Sequence, residues 1–283
     1  MNTAKISLLS ALLLTQCAEK RDFSQDYSLP QGYQLEQHTT LYLPDALEEI
    51  SGLEWKDNGE LWGIEDESSI LYQIDPESGK ILKKQKFSKN KDIEDLLVYR
   101  DTAYVLQSNG DLYEVSAPMT DDFLTRRYDF PIDQKRDFEA IVTLDTEPSL
   151  LLFCKVCKWD KNPSRSSVYR FDLVSKTYQT DPYMVLKRED LQAAFPEKDL
   201  SQVKMQPAAA AIHPITRELY LMSSTDRWLL VMSQQGDFLE FHQLPASYFK
   251  QPEGITFDAK GNLYISNEAR DGRPNILLFP YQP

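Results

Sequence analysis

One short motif recurs five times along this chain, each time at the head of an apolar strand, and that repetition limits the fold more than any single residue does. The openings are Ser51-Gly52-Leu53, Glu94-Asp95-Leu96, Glu139-Ala140-Ile141, Ala208-Ala209-Ala210 and Glu253-Gly254-Ile255. A second strand with an aromatic or leucine centre follows four of them: Leu61-Trp62-Gly63-Ile64, Ala103-Tyr104-Val105-Leu106, Leu219-Tyr220-Leu221-Met222 and Leu263-Tyr264-Ile265-Ser266. The third unit is spaced slightly wider and offers Leu150-Leu151-Leu152-Phe153. Third strands are expected at Ile70–Ile74, Asp111–Val115, Ser167–Phe171, Trp228–Met232 and Asn275–Phe279. A period of roughly 40–50 residues with four short strands in each predicts an all-β chain folded as a β-propeller.

Three of the gaps between openings are roughly 43–45 residues, one blade each, and the remaining gap is about 69, too short for two. It reads as one blade plus inserts: a loop over Lys158–Ser166, and a region Leu186–Lys204 whose Leu186, Leu191, Ala194 and Phe195 suggest a short helix. The last unit has only three strands before Pro283, and an outer strand is available in Tyr33–Leu43. A closing strand taken from the N-terminus would zip the ring and remove its open sheet edges. The expectation is therefore five four-stranded blades over residues 33–283, with six blades as the alternative if Leu186–Lys204 hides further strands.

The chain has 283 residues and a formal net charge of -13. That acidity argues against nucleic acid as a partner, because binding it depends on basic surface. Residues 1–17 read as a processing signal: Lys5, then Ile6–Leu14, an apolar stretch too short to span a bilayer. It ends in Leu14-Thr15-Gln16-Cys17, which looks like a bacterial lipobox with Cys17 as the lipidated residue, although Gln16 stands where a small residue is usual. An ordinary secretory signal is the alternative. Residues 18–32 would be a polar tether, placing the protein outside the cytoplasm and lipid-anchored to the bacterial cell membrane, on its periplasmic or outer face. Cys154 and Cys157 form a CxxC at a strand end. Redox chemistry, half a zinc site and a structural disulfide all remain open, and the disulfide requires a turn there.

In a propeller the innermost strand of each blade starts at one rim of the central channel, and the second strand ends at that same rim. The openings then supply Glu94, Glu139 and Glu253 to one small space, with Ser51 and Ala208 in the other blades. The second-strand ends supply Glu65, Gln107, Lys155, Ser223 or Ser224, and Glu268. Three acids so placed cannot all ionise without compensation from a cation, a base such as Lys155, or protons. Calcium suits an all-oxygen set, whereas zinc and copper want histidine or thiolate. His38, His213 and His242 all fall off the motif positions, and His213 reads as a turn residue. The expected metal ligands are Glu94, Glu139 and Glu253, with Lys155, Glu65 and Glu268 facing a ligand. A purely structural role for the glutamates, bonding backbone amides around the axis, is the competing reading. Gly52, Ala140, Ala209 and Gly254 would let inner strands crowd together, a pattern that Asp95 breaks. There is no GxSxG, HExxH, P-loop or GxGxxG, and nothing in the sequence places a histidine beside a serine.

At Glu49-Ile50-Ser51-Gly52-Leu53, Asp92-Ile93-Glu94-Asp95-Leu96, Phe138-Glu139-Ala140-Ile141, Gln251-Pro252-Glu253-Gly254-Ile255 and Gly261–Glu268 the chain resembles the SdiA-regulated family of bacterial exported or membrane-anchored β-propellers. The resemblance covers most of residues 45–283. It keeps the family's acids at Glu94, Glu139, Glu253 and Glu268 and its lysine at Lys155, and departs at Ala208-Ala209, where Ser-Gly is usual. It implies the fold, an exported location and a calcium-linked site, and it implies no reaction. Two functions are compatible. One is a cell-envelope binding or sensing module whose channel mouth takes calcium and a small anionic ligand or an envelope protein. The other is a metal-assisted, phytase-like or esterase-like hydrolase. The absence of an activated nucleophile favours binding.

Overall fold

A computed structural model of the chain describes residues 27–56, 58–144, 147–270 and 272–283. The expected signal segment with Cys17, and the tether up to residue 26, lie outside the described residues.

The described chain forms five antiparallel sheets arranged as the blades of a propeller. A first strand, β1 (Thr39–Tyr42), precedes them. Blade 1 is β2 (Ile50–Trp55), β3 (Leu61–Glu65), β4 (Ile70–Ile74) and β5 (Ile81–Lys86). Blade 2 is β6 (Ile93–Tyr99), β7 (Thr102–Gln107), β8 (Leu112–Ser116) and β9 (Leu124–Tyr128). Blade 3 is β10 (Phe138–Thr143), β11 (Ser149–Cys154) and β12 (Arg165–Asp172), with its outer strand split into β13 (Thr177–Tyr178) and β14 (Met184–Lys187), both paired to β12. Blade 4 is β15 (Ala209–Ile212), β16 (Leu219–Ser223), β17 (Trp228–Met232) and β18 (Phe238–Gln243). Blade 5 is β19 (Pro252–Phe257), β20 (Leu263–Asn267) and β21 (Asn275–Phe279), completed by β1, which pairs antiparallel with β21 from Thr39↔Leu278 to Tyr42↔Asn275. The ring thus closes with an N-terminal strand and has five blades. The long gap holds one blade with its inserts, including α1 (Arg188–Ala194), whose Leu191 is buried.

Five apolar clusters hold the ring, one between each pair of neighbouring blades. Strand periodicity builds them, because successive side chains point to opposite faces. In β16, Leu219 and Leu221 pack toward blade 3, while Tyr220 and Met222 pack toward blade 5. In β11, Leu151 and Phe153 face blade 4, and Leu150, Leu152 and Cys154 face blade 2. Second strands are therefore buried on both faces, which is why they read as unbroken apolar runs rather than alternating ones.

Residues 27–32, expected as the end of the tether, lie against blade 4. Tyr27 bridges to Gln243, Ser28 Oγ hydrogen-bonds His242 Nδ1 at 2.8 Å, and Leu29 is buried. Among the described residues no helix is long and apolar enough to cross a membrane.

Candidate functional site

The motif glutamates reach the channel because each sits in a β-bulge. Ile93 pairs with Gln107 and Asp95 with Leu106, so Glu94 is the extra residue. Glu139 is extra between Phe138 and Ala140, and Glu253 between Pro252 and Gly254. Ser51 and Gly52 lie in the matching irregularity of β2. A bulge bends its strand and re-aims one side chain, here toward the axis. Close packing of the inner strands explains the small residues. A Cβ on Gly254 would lie 2.3 Å from Ser51 O, and one on Gly52 would lie 2.6 Å from Asp95 Oδ1. Asp95 breaks the small-residue pattern because its carboxyl occupies the room Gly52 leaves. It accepts Leu96 N–H and, across to blade 3, Ile141 N–H, both at 2.8 Å.

Around this rim one backbone bond repeats. In blades 1, 2, 3 and 5 the residue after the second strand donates its N–H to the carbonyl two residues before the motif: Asp66 to Glu49, Ser108 to Asp92, Lys155 to Asp137 and Glu268 to Gln251, at 2.8–3.3 Å. Lys155 and Glu268 thus stand where expected. Glu65 stands one residue short of the repeat position, which Asp66 fills, and its Oε2 accepts Glu67 N–H on its own turn at 3.0 Å. The carbonyl-bearing positions Glu49, Asp92, Asp137 and Gln251 form a second polar ring that the motif reading passed over. The signal was present as an acid or amide two residues before each of these openings.

Burial dominates the electrostatics. Glu139, Glu253 and Glu268 are each less than 9% exposed. Desolvation, then Glu139, Asp92 and Asp137, push Glu94 up to about 10. Desolvation also lifts Glu139 well above its usual range and raises Glu253, although Lys155 pulls both back. Lys155 Nζ bonds directly to Glu139 Oε1. Burial alone would lower the Lys155 pKa, but Glu139, Glu253 and Asp137 together raise it, so the ammonium stays charged among them. Glu268 is pushed up to about 8 by desolvation, Glu253, Glu49 and Asp66, and Asp66 to about 6 by desolvation, Glu49 and Glu65.

Beyond desolvation, Glu139 raises the Glu94 pKa and Glu253 raises that of Glu139, so the three acids stand near one another with Lys155 among them. The carboxylates that one ion could span lie a step around the rim. Among the described residues, Glu49, Asp66 and Glu268 each bring a ligand oxygen within 4.8 Å of the others, whereas Glu94, Glu139 and Glu253 form no such group. Oxygens on opposite sides of one calcium ion are about 5 Å apart, given Ca–O distances of 2.3–2.6 Å. Several buried oxygens find no hydrogen-bond partner among the described residues: Asp66 Oδ1, Gln251 Oε1, Asn267 Oδ1, Ser223 Oγ and Glu139 Oε2. A rim with surplus acceptors fits a hard cation.

Cys154 and Cys157 form a disulfide, with Cα atoms 6.1 Å apart, because the chain turns immediately after β11. This bond brackets Lys155 and answers the three-way reading of the CxxC. His213 is a turn residue, as expected. It is fully buried, its Nδ1 accepts Ile215 N–H and Thr216 N–H, and desolvation lowers its pKa to about 4. His242 does lie beside a serine, Ser28, with its Nε2 2.8 Å from Glu240 Oε2. Glu240 also accepts Gln31 N–H, so the set fastens residues 28–31 to blade 4.

The SdiA-regulated family model matches residues 26–276, nearly the whole described chain. The chain belongs to the SdiA-regulated family. No curated protein matches it in sequence. Among solved structures, this SdiA-regulated protein is similar in fold to glutaminyl cyclase from Myxococcus xanthus, at 10% identity and a TM-score of 0.58, covering 87% of this chain and 96% of that one. It is similar also to a luciferin-regenerating enzyme at 10% identity and a TM-score of 0.50, covering 86% and 95%. Virginiamycin B lyase from Staphylococcus aureus matches at 13% identity and a TM-score of 0.44, covering 82% and 68%. At 10% identity the likeness to the glutaminyl cyclase and the luciferin-regenerating enzyme shows the fold alone.

Proposed function

We propose that this protein is a binding module of the bacterial cell envelope whose channel mouth takes a divalent cation, calcium by donor chemistry. The observation that carries this reading is the meeting of Glu49, Asp66 and Glu268 oxygens within 4.8 Å beside a buried, partnerless Asp66 Oδ1. The cation would draw these carboxyls toward their charged forms. Glu94, Glu139 and Glu253, expected from the sequence as ligands, then form the neighbouring acidic wall, with Lys155 balancing charge. Calorimetric titration of Ca²⁺ into chelator-treated protein tests this. Asp66→Asn and Glu268→Gln each weaken saturable binding at least about tenfold, the loss of roughly one charged ligand. A protein that takes up no divalent ion refutes the site.

The module would be exported and held to the membrane through Cys17. The Cys154–Cys157 disulfide supports export, because such bonds persist in oxidising compartments. Cys17→Ser should move the protein from the membrane fraction to the soluble fraction; unchanged fractionation would refute the anchor. Catalysis is not proposed. Ser28 and His242 tie down the N-terminal segment, and no other serine–histidine pair is found among the described residues.

A further inference from the structure

The chain is acidic, yet one cavity of about 490 Å³ at the rim of blade 3 is walled by Lys135, Lys155, Lys158, Lys161, Arg165 and Lys204. We infer that this cavity is a binding site for a small phosphorylated molecule with an apolar or ring-bearing body.

The insert creates the site. Lys158–Asp160 form a short 3-10 helix directly after the disulfide, Lys161 follows in a left-handed conformation (φ 65°), and Arg165 opens β12. Backbone bonds from Lys158 N–H to Lys135 O and from Met205 N–H to Pro163 O stitch three separated segments around the opening. The cations are therefore carried by a fastened loop rather than by a loose tail, and functional groups concentrate on such loops over rigid scaffolds.

Charge selects the ligand. Lys155 pairs with Glu139, and Lys204 lies 3.9 Å from Asp226. No ion pair is found for Lys135, Lys158, Lys161 or Arg165 among the described residues. Asp160, the acid in the wall, is engaged through both oxygens with Ser167. Cations gathered in a cleft repel one another and focus a positive field that draws in an anion. Five of the six are lysines, whose point charges suit the oxygens of a phosphate and do not impose the planar fork that arginine offers a carboxylate. Val156, Pro163 and the disulfide supply an apolar surface beside them. The volume falls within the usual range for a small-molecule site.

The site does not depend on the cation proposed above, so it is tested in chelator. The full chain is titrated with phenyl phosphate, inorganic phosphate and benzoate in EDTA. Phenyl phosphate should bind saturably and at least about tenfold more tightly than the other two, since it alone satisfies both the lysines and the apolar wall. The Lys158→Gln/Lys161→Gln variant should lose at least about tenfold in affinity with an unchanged melting temperature, because both side chains are exposed. Absence of saturable phenyl phosphate binding, equal binding by the double variant, or benzoate binding as tightly would each overturn the assignment. Calcium binding measured on the same samples reports separately on the channel mouth.

Discussion

Gly254 shows how a single hydrogen atom can hold a ring together. Its α-carbon faces Ser51 O so closely that a methyl group would sit 2.3 Å from that carbonyl, on the inner strand of the next blade. Gly254→Ala must push β19 away from β2, and a loss of about 2 kcal/mol is expected, measured by denaturant unfolding. Lys155 is the matching electrostatic case. Lys155→Met leaves Glu139 and Glu253 buried without their cation, a change that costs about 3–5 kcal/mol when the acids are charged. The loss should be larger at pH 8 than at pH 5, where the carboxyls take up protons; an equal loss at both would show that Lys155 acts through packing alone. The site residues differed in how legible they were. Glu94, Glu139 and Glu253 recur at a repeat position and were readable from the sequence alone. Asp66 was missed for Glu65 because, in a pleated strand, one residue decides between the rim and the strand's own turn. The contact between Ser28 and His242 spans 214 residues, and no local pattern encodes it.

At the scale of elements, blades 1, 2 and 4 followed directly from the repeat, since each is a local meander whose strands pair with sequence neighbours, and blade 5 follows it for its three inner strands. Blade 3 was harder, because its outer strand is divided between β13 and β14 and an insert carries α1, so that the local period is lost. The closing strand has the largest consequence. β1 covers the free edge of β21, and Leu41, Leu43 and Leu47 are buried between blades 5 and 1. A chain lacking residues 1–43 exposes both that edge and that apolar seam. It should unfold at least about 10 °C lower and self-associate, as read by thermal melting and light scattering. A truncated protein that melts like the parent as a monomer would mean that the ring is held without its clasp.

For the whole molecule, the acidic mouth links stability to pH. Glu268, at about 8, and Glu94, at about 10, have folded-state values above those of an unfolded chain, near 4.5. The folded protein therefore binds more protons than the unfolded one across that window, and stability falls as pH rises through it. Lys155, also raised, contributes stability that is present below its unfolded value, so it adds no loss between pH 5 and 8. The metal-free protein should lose at least about 2 kcal/mol from pH 5 to pH 8, and calcium should restore the part of it that Glu268 contributes. The ring, its clasp and its crowded inner strands thus hold mutually repelling acids at a distance that one cation can bridge. Calcium titration at pH 7 in two buffers of different ionisation enthalpy tests this claim most directly. Glu268 is mostly protonated at that pH and Asp66 mostly charged, so each bound ion should release about one proton, with less released at pH 9. Absence of binding, or binding with no proton released, would contradict a cation held by Glu49, Asp66 and Glu268.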